Sequence, residues 1–197
     1  MTNPTRWDLN DNSVSQMTYV QEAFTPTQCE LIKSLVDTTD LEEAVTLTGR
    51  EQVGDPKIRK NRVAWLNSGD EKLNWIFRSL TDQVLRINEM FYKFELDYIE
   101  SLQYTVYNQK DDHYTDHIDL LDNSPHFRKL TFTVQLDDPS TYEGCDLELK
   151  YSSNWQPALR DQGSITFFPS YTLHHVTPLK SGVRNSLVGW VCGPRFR

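Results

Sequence analysis

The chain has 197 residues, 38% of them hydrophobic and 12% aromatic, and a formal net charge of −8. That length suits one domain able to bury roughly 70% of its unfolded surface, and the acidic balance argues against a general nucleic-acid binder, whose footprint is a basic face. Cys29, Cys145 and Cys192 are odd in number and widely spaced, so they make neither a disulfide framework nor a paired zinc motif and point to a reducing, cytoplasmic setting. Met1 to Asn12 is polar, which is not the pattern of a signal peptide, and no run approaches the ~18 apolar residues of a membrane span.

Phe24-Thr25-Pro26-Thr27-Gln28 reads as a helix start. Thr25 is the cap, Pro26 suits the first turn, and Gln28 completes a capping box. The helix is expected to reach about Val36, with Leu31, Ile32 and Leu35 as its apolar stripe. Asp37 to Pro56 has few large apolar residues and two glycines, and is predicted to be a long mobile connection of the kind that covers sites. The basic run Lys57-Ile58-Arg59-Lys60-Asn61-Arg62 reads as a solvated strand edge, where lysines discourage pairing, in preference to a substrate groove. From Asp70, Leu73, Ile76, Phe77, Leu80, Val84, Ile87 and Phe91 recur at spacings of three and four and predict an amphipathic scaffold helix.

Strands are expected from Phe94 onward. In the first, Gln103, Thr105 and Tyr107 share one side and Leu102, Tyr104 and Val106 the other. Further on, Leu130, Phe132, Val134 and Leu136 alternate with Thr131, Thr133 and Gln135. That second face is polar but uncharged, which fits the lining of an enclosed cavity as well as an exposed face. Gly144, Asp146 to Tyr151, Gly163 to Phe168, His174 to Val176 and Val183 to Cys192 supply more short strands between turns. Many short strands after two helices imply an α+β chain, mainly β: a sandwich or jelly roll backed by N-terminal helices.

Two stretches carry chemistry. His117-Ile118-Asp119 places an imidazole and a carboxylate two residues apart, on one side of an extended strand. The segment Phe168-Pro169-Ser170-Tyr171-Thr172-Leu173-His174-His175-Val176 brings another imidazole, and Arg184 follows on the next strand. Two histidines and a carboxylate on one face of a metal are the donor set of non-haem Fe(II) oxygenases. His113 and His126 stand at the wrong offsets and read as loop or surface residues.

The composite order of aromatic-rich strand, His-x-Asp, Phe-Pro-x-x-x-Leu-His-x-Val and an Arg ten residues later resembles the 2-oxoglutarate- and iron-dependent oxygenases. Within them it resembles the prolyl 4-hydroxylase-like group that includes the PKHD-type hydroxylases. The motifs span about Leu102 to Trp190. The resemblance implies a double-stranded β-helix (jelly roll) core over about 98–193 on helical support over about 24–93, together one oxygenase domain. It implies His117, Asp119 and His174 as iron ligands, and it is the resemblance that prefers His174 to His175. Arg184 would hold the far carboxylate of 2-oxoglutarate, a task suited to a fixed bidentate guanidinium, with Ser186 beside it. Tyr107, Thr133 and Gln135 are alternative further contacts to that co-substrate, and Tyr114 and Trp190 are candidate substrate contacts.

The implied cofactors are Fe(II), 2-oxoglutarate, dioxygen and, as a further one, ascorbate. The implied reaction couples decarboxylation of 2-oxoglutarate to hydroxylation of an unactivated C–H bond. Related nucleic-acid demethylases carry a second arginine six residues after the first; here that position is Trp190, which favours a prolyl residue in a peptide or protein over a nucleobase. The alternatives are a free amino acid, another small molecule or alkylated nucleic acid as substrate, and a non-enzymatic jelly-roll binding module.

Overall fold

The computed structural model describes residues 14–36, 38–48, 51–120, 122–123 and 126–195. The chain opens with β1 (Thr18–Val20) and α1 (Pro26–Ser34). Thr25 Oγ1 accepts from Gln28 N at 3.2 Å and Gln28 Oε1 accepts from Thr25 N at 2.8 Å, which is the capping box that the sequence predicts. The buried face of α1 carries Cys29 and Ile32, and Leu35 packs against the same core, so two of the three expected stripe residues face inward while Leu31 is exposed.

The stretch after α1 is more ordered than a plain mobile connection. It holds β2 (Glu42–Glu43), then β3 (Thr46–Thr48) and β4 (Glu51–Val53), which pair as a hairpin. β5 (Arg59–Lys60) and β6 (Arg62–Leu66) follow, and β2 pairs with β6. A 3-10 turn at Glu71–Leu73 leads into α2 (Asn74–Ile87), which buries Ile76, Leu80, Val84 and Ile87 as the periodicity requires. Its wide final turn brings the Tyr92 hydroxyl to Thr18 Oγ1 and Phe167 O, at 3.0 and 2.9 Å. That contact ties the helix to β1, a strand the polar N-terminal sequence did not announce.

The remaining strands are β7 (Tyr98–Ile99), β8 (Leu102–Tyr107), β9 (His113–His117), β10 (Asp122–Asn123), β11 (His126–Gln135) and β12 (Tyr142–Gly144). They continue as β13 (Leu147–Tyr151), β14 (Asn154–Pro157), β15 (Ile165–Pro169), β16 (His174–Val176), β17 (Leu179–Gly182) and β18 (Arg184–Pro194). Among the described residues all strand pairings are antiparallel. The long sheet runs β1-β15-β11-β18-β8-β6-β2, with β10 and β7 at its side, and a smaller sheet runs β14-β13-β16-β9-β5. This is the jelly roll expected from the strand pattern.

Two cores follow from this layering. One lies between the long sheet and the helices, where Leu102, Tyr104, Val106, Leu130, Phe132, Val134, Leu187 and Val191 meet Ile32, Ile76, Leu80 and Val84. Gly189 is required there, because the Phe132 ring crosses it and a Cβ would sit 2.1 Å from Cζ. The other core lies between the sheets and includes Tyr107, Cys145, Leu147, Leu149, Phe168 and Val176. All three cysteines are buried and free. No helix among the described residues is long and apolar enough to cross a membrane.

Candidate active site

Strand alternation and register build the site. On β18, Arg184, Ser186, Val188 and Trp190 face a cavity of about 360 Å³; Gln103, Thr105 and Tyr107 of β8 and Thr131 and Thr133 of β11 line the same cavity. Arg184 lies opposite Tyr107, Ser186 opposite Thr105, and Trp190 opposite Thr131. The polar, uncharged face read from the sequence is therefore a cavity wall, not an exposed surface.

The smaller sheet contributes the histidines. β16 pairs with β9 so that His174 lies opposite His117. Asp119 lies just past the end of β9, its N–H donating to Ser170 O at 2.9 Å, which turns the carboxylate back to the histidines. One ligand atom from each of the three residues lies within 4.8 Å of the others. Asp119 Oδ1 is 3.8 Å from His117 Nε2, and Oδ2 is 3.4 Å from His174 Nε2.

The second nitrogen of each imidazole fixes its tautomer. His117 Nδ1 reaches Thr115 O at 2.7 Å and His174 Nδ1 reaches Thr172 O at 2.9 Å. A carbonyl only accepts, so both Nδ1 atoms carry the proton and both Nε2 lone pairs are free to bind a metal. Burial, then the neighbouring His174, pushes the His117 pKa down to about 3, which keeps the ring in its ligating neutral form. For Asp119 burial acts upward, but His174, His117 and Arg128 outweigh it and hold the carboxyl below its ordinary value. Thr131 Oγ1 donates to Asp119 Oδ2 at 3.0 Å and also contacts Ser170 Oγ.

Two imidazoles and one carboxylate, all on one side and with free lone pairs, fit a divalent iron with its other positions open. His175 does not compete for this role. Its ring points to the other face, with Nδ1 2.8 Å from Asp116 and Nε2 2.9 Å from Glu148, against Trp155. His113 is bonded to the Asp111 and Lys57 carbonyls. The His126 side chain lies outside the described residues.

Arg184 is 2% exposed, and among the described residues no carboxylate pairs with it. Nε donates to Gln135 Oε1 at 3.1 Å, and the guanidinium lies over the Tyr107 ring at 5.5 Å. Gln135, expected as an alternative co-substrate contact, is not among the residues that line the cavity. It stands behind Arg184 and orients it, while Thr133, Tyr107 and Ser186 are in the wall. Burial pushes the Tyr107 hydroxyl up to about 12, so it remains a donor.

Three contributors escaped the sequence reading. Tyr114 was expected as a substrate contact, but it also stacks on His117 at 3.5 Å and carries Arg59 on its ring at 4.6 Å. Arg59 thus lines the cavity even though β5 is the strand edge that the basic run predicts. Arg128 joins the wall because a bulge between Arg128 and Leu130 inserts one residue and turns it to the cavity side. It lies 3.9 Å over Trp190 and binds Glu100 twice, at 2.9 and 2.6 Å. The third is Thr131, whose only sequence signal was its place on the polar face. The Trp190 indole N–H lies near Asp119 without hydrogen-bond geometry. Around the mouth, Val45, Ile58, Trp65 and Ile118 form a partly exposed apolar rim.

Comparison with known proteins agrees with this geometry. Residues 102–192 match the model of the 2OG-Fe(II) oxygenase superfamily. A PKHD-type hydroxylase of Synechococcus sp. (strain CC9311) is 39% identical over 83 residues, 42% of this chain and 38% of that protein. One from Crocosphaera subtropica is 36% identical over 97 residues, 48% and 43% of the two chains. The match thus spans about two-fifths of the length of these relatives. Among solved structures, a prolyl-4-hydroxylase of Pseudomonas putida superposes with a TM-score of 0.72 at 16% identity, covering 91% of this chain and 93% of that one. A Trichoplax adhaerens prolyl hydroxylase, solved with a hypoxia inducible factor peptide fragment, gives 0.70 at 16% identity over 89% and 82%. Residues 102–192 are thus similar to the 2OG-Fe(II) oxygenase superfamily, and the fold that carries them is prolyl hydroxylase-like.

Proposed function

We propose that the protein is an Fe(II)- and 2-oxoglutarate-dependent dioxygenase that hydroxylates a prolyl residue of a peptide or protein. The observation that carries the oxygenase reading is Arg184. A guanidinium buried without a carboxylate is costly, and this one stands in the same cavity as the His117, Asp119 and His174 donors. A small dicarboxylate with one end at the metal and the other at Arg184 removes that cost.

Bound here, iron, 2-oxoglutarate and dioxygen supply the oxidising power needed to hydroxylate an unactivated C–H bond. The chain's own part is positioning. His117, Asp119 and His174 would hold the metal, Thr131, itself in contact with Ser170 Oγ, donates to the Asp119 carboxylate, and Gln135 sets the plane of Arg184. The Tyr107, Thr133 and Ser186 hydroxyls are available to the co-substrate.

The prolyl reading draws support from Trp190 and Tyr114, which give the cavity an aromatic wall suited to a pyrrolidine ring. The apolar rim suits a peptide and keeps water out. To test this, the protein is incubated with Fe(II), 2-oxoglutarate and oxygen, once with proline-containing peptides and once with methylated single-stranded nucleic acid. Succinate formation with a gain of one oxygen on proline is expected. Turnover of the methylated nucleic acid alone, with formaldehyde release, would overturn the prolyl assignment.

A further inference from the structure

Among the described residues three guanidiniums line the cavity, and their charges are answered differently. Arg128 is matched by Glu100 through two short bonds. Arg184, deepest, awaits the co-substrate. Arg59, half-buried near the mouth, has only neutral partners: Nε donates to Asn61 Oδ1 at 3.0 Å and Nη2 to Gln103 Oε1 at 2.7 Å. These bonds fix the plane of the group without neutralising it, and among the described residues no carboxylate lies within ion-pair distance. Of the five N–H donors of a guanidinium, the remaining ones are open to a ligand.

A second observation points the same way. The Thr105 hydroxyl, 1% exposed and in the cavity wall on the same strand face as Gln103, has no hydrogen-bond partner. Leaving a buried hydroxyl unsatisfied costs about 1–3 kcal/mol, which an oxygen-bearing ligand would offset. With a net charge of −8, the protein as a whole does not attract anions, so any preference for one must be local.

We infer that the substrate carries a carboxylate close to the hydroxylated ring and that Arg59 receives it, making Arg59 a specificity-determining residue. This rests on the prolyl reading above. The co-substrate's two carboxylates are already placed at the metal and at Arg184, so a third cation serves a different molecule. Arg59 stacks on Tyr114, which stacks on the metal ligand His117. These two stacks, 4.6 Å from the guanidinium to the Tyr114 ring and 3.5 Å from that ring to the His117 ring, set how far a carboxylate held there lies from the donor cluster. Since consecutive Cα atoms are about 3.8 Å apart, it must come from a residue next to the target proline or from a chain end at the proline itself.

The test offers the Fe(II)-loaded protein, with 2-oxoglutarate and oxygen, prolyl peptides carrying Asp, Asn or Lys beside the proline. A further pair ends in proline as free acid or as amide, and kcat and KM are read separately. The expected result is a KM about tenfold lower for a carboxylate-bearing peptide than for its neutral counterpart. A preference within the Asp/Asn pair identifies a side chain as the source, and one within the acid/amide pair identifies a chain end. Arg59→Gln should raise the KM of the preferred peptide to that of the neutral one, and Arg59→Glu should transfer the preference to the Lys peptide. Should either variant fail to fold, the wild-type series decides alone. Equal KM across that series would overturn the inference and leave prolyl hydroxylation standing. Hydroxylation of none of the peptides, while 2-oxoglutarate is still converted to succinate, would overturn both.

Discussion

The long sheet is covered on both sides, yet its two faces have opposite compositions. Toward the helices, Leu102, Val106, Leu130, Phe132, Val134 and Leu187 make an apolar layer with almost no polar atom to satisfy. Toward the smaller sheet, the alternate residues of the same strands are Gln103, Thr105, Thr131, Thr133, Arg184 and Ser186, all buried as well. Burying hydroxyls, an amide and a guanidinium is unfavourable unless each finds a partner, and Thr105 does not. One face therefore supplies stability, and the other spends some of it to hold groups ready for ligands.

The contrast can be broken most completely at the metal. His174→Ala should abolish divalent metal binding by calorimetry, whereas His175→Ala, on the other side of the same strand, should retain most of it; the reverse result would reassign the ligand. On the apolar face, Phe132→Ala should cost about 3–5 kcal/mol of unfolding free energy, measured by denaturant melts, and leave metal affinity unchanged, since the ring packs on Gly189 and Phe167, away from the cavity. Thr131→Val is the counterpart on the cavity face. Losing its bond to Asp119 should weaken metal binding roughly 10–100-fold with a smaller effect on the melt. Thr25→Ala, far from both, removes the capping box of α1 and should cost about 1 kcal/mol, with co-substrate binding untouched.

What the sequence disclosed follows from how far each feature reaches along the chain. The alternation in Leu130 to Leu136 discloses two unlike faces because a strand has a period of two. The capping box at Thr25 is local and reads directly. His117, Asp119, His174 and Arg184 are legible because their residue types and order are distinctive, but only the three-dimensional pairing of β9 with β16 shows His175 turned away to Asp116 and Glu148. Arg128 was hidden by a bulge, which shifts parity without a sequence mark. Arg59 was hidden in a run that does form a strand edge. The place of Gln135 behind Arg184 depends on a side-chain contact across 49 residues. The short pairings of β2, β3 and β4 are too brief to leave a periodic signal, and in a nine-residue α1 the adjacent Leu31 and Ile32 do not show which of them faces the core.

The central claim is that one cavity holds a metal at His117, Asp119 and His174 and a dicarboxylate at Arg184. Anaerobic calorimetric titration of 2-oxoglutarate into the Fe(II)-loaded protein, beside an Arg184→Ala variant with unchanged melting and metal content, tests it most directly. The account predicts one site in the wild type and a loss of roughly 2–5 kcal/mol of binding free energy in the variant. Equal affinity in the two proteins would contradict it.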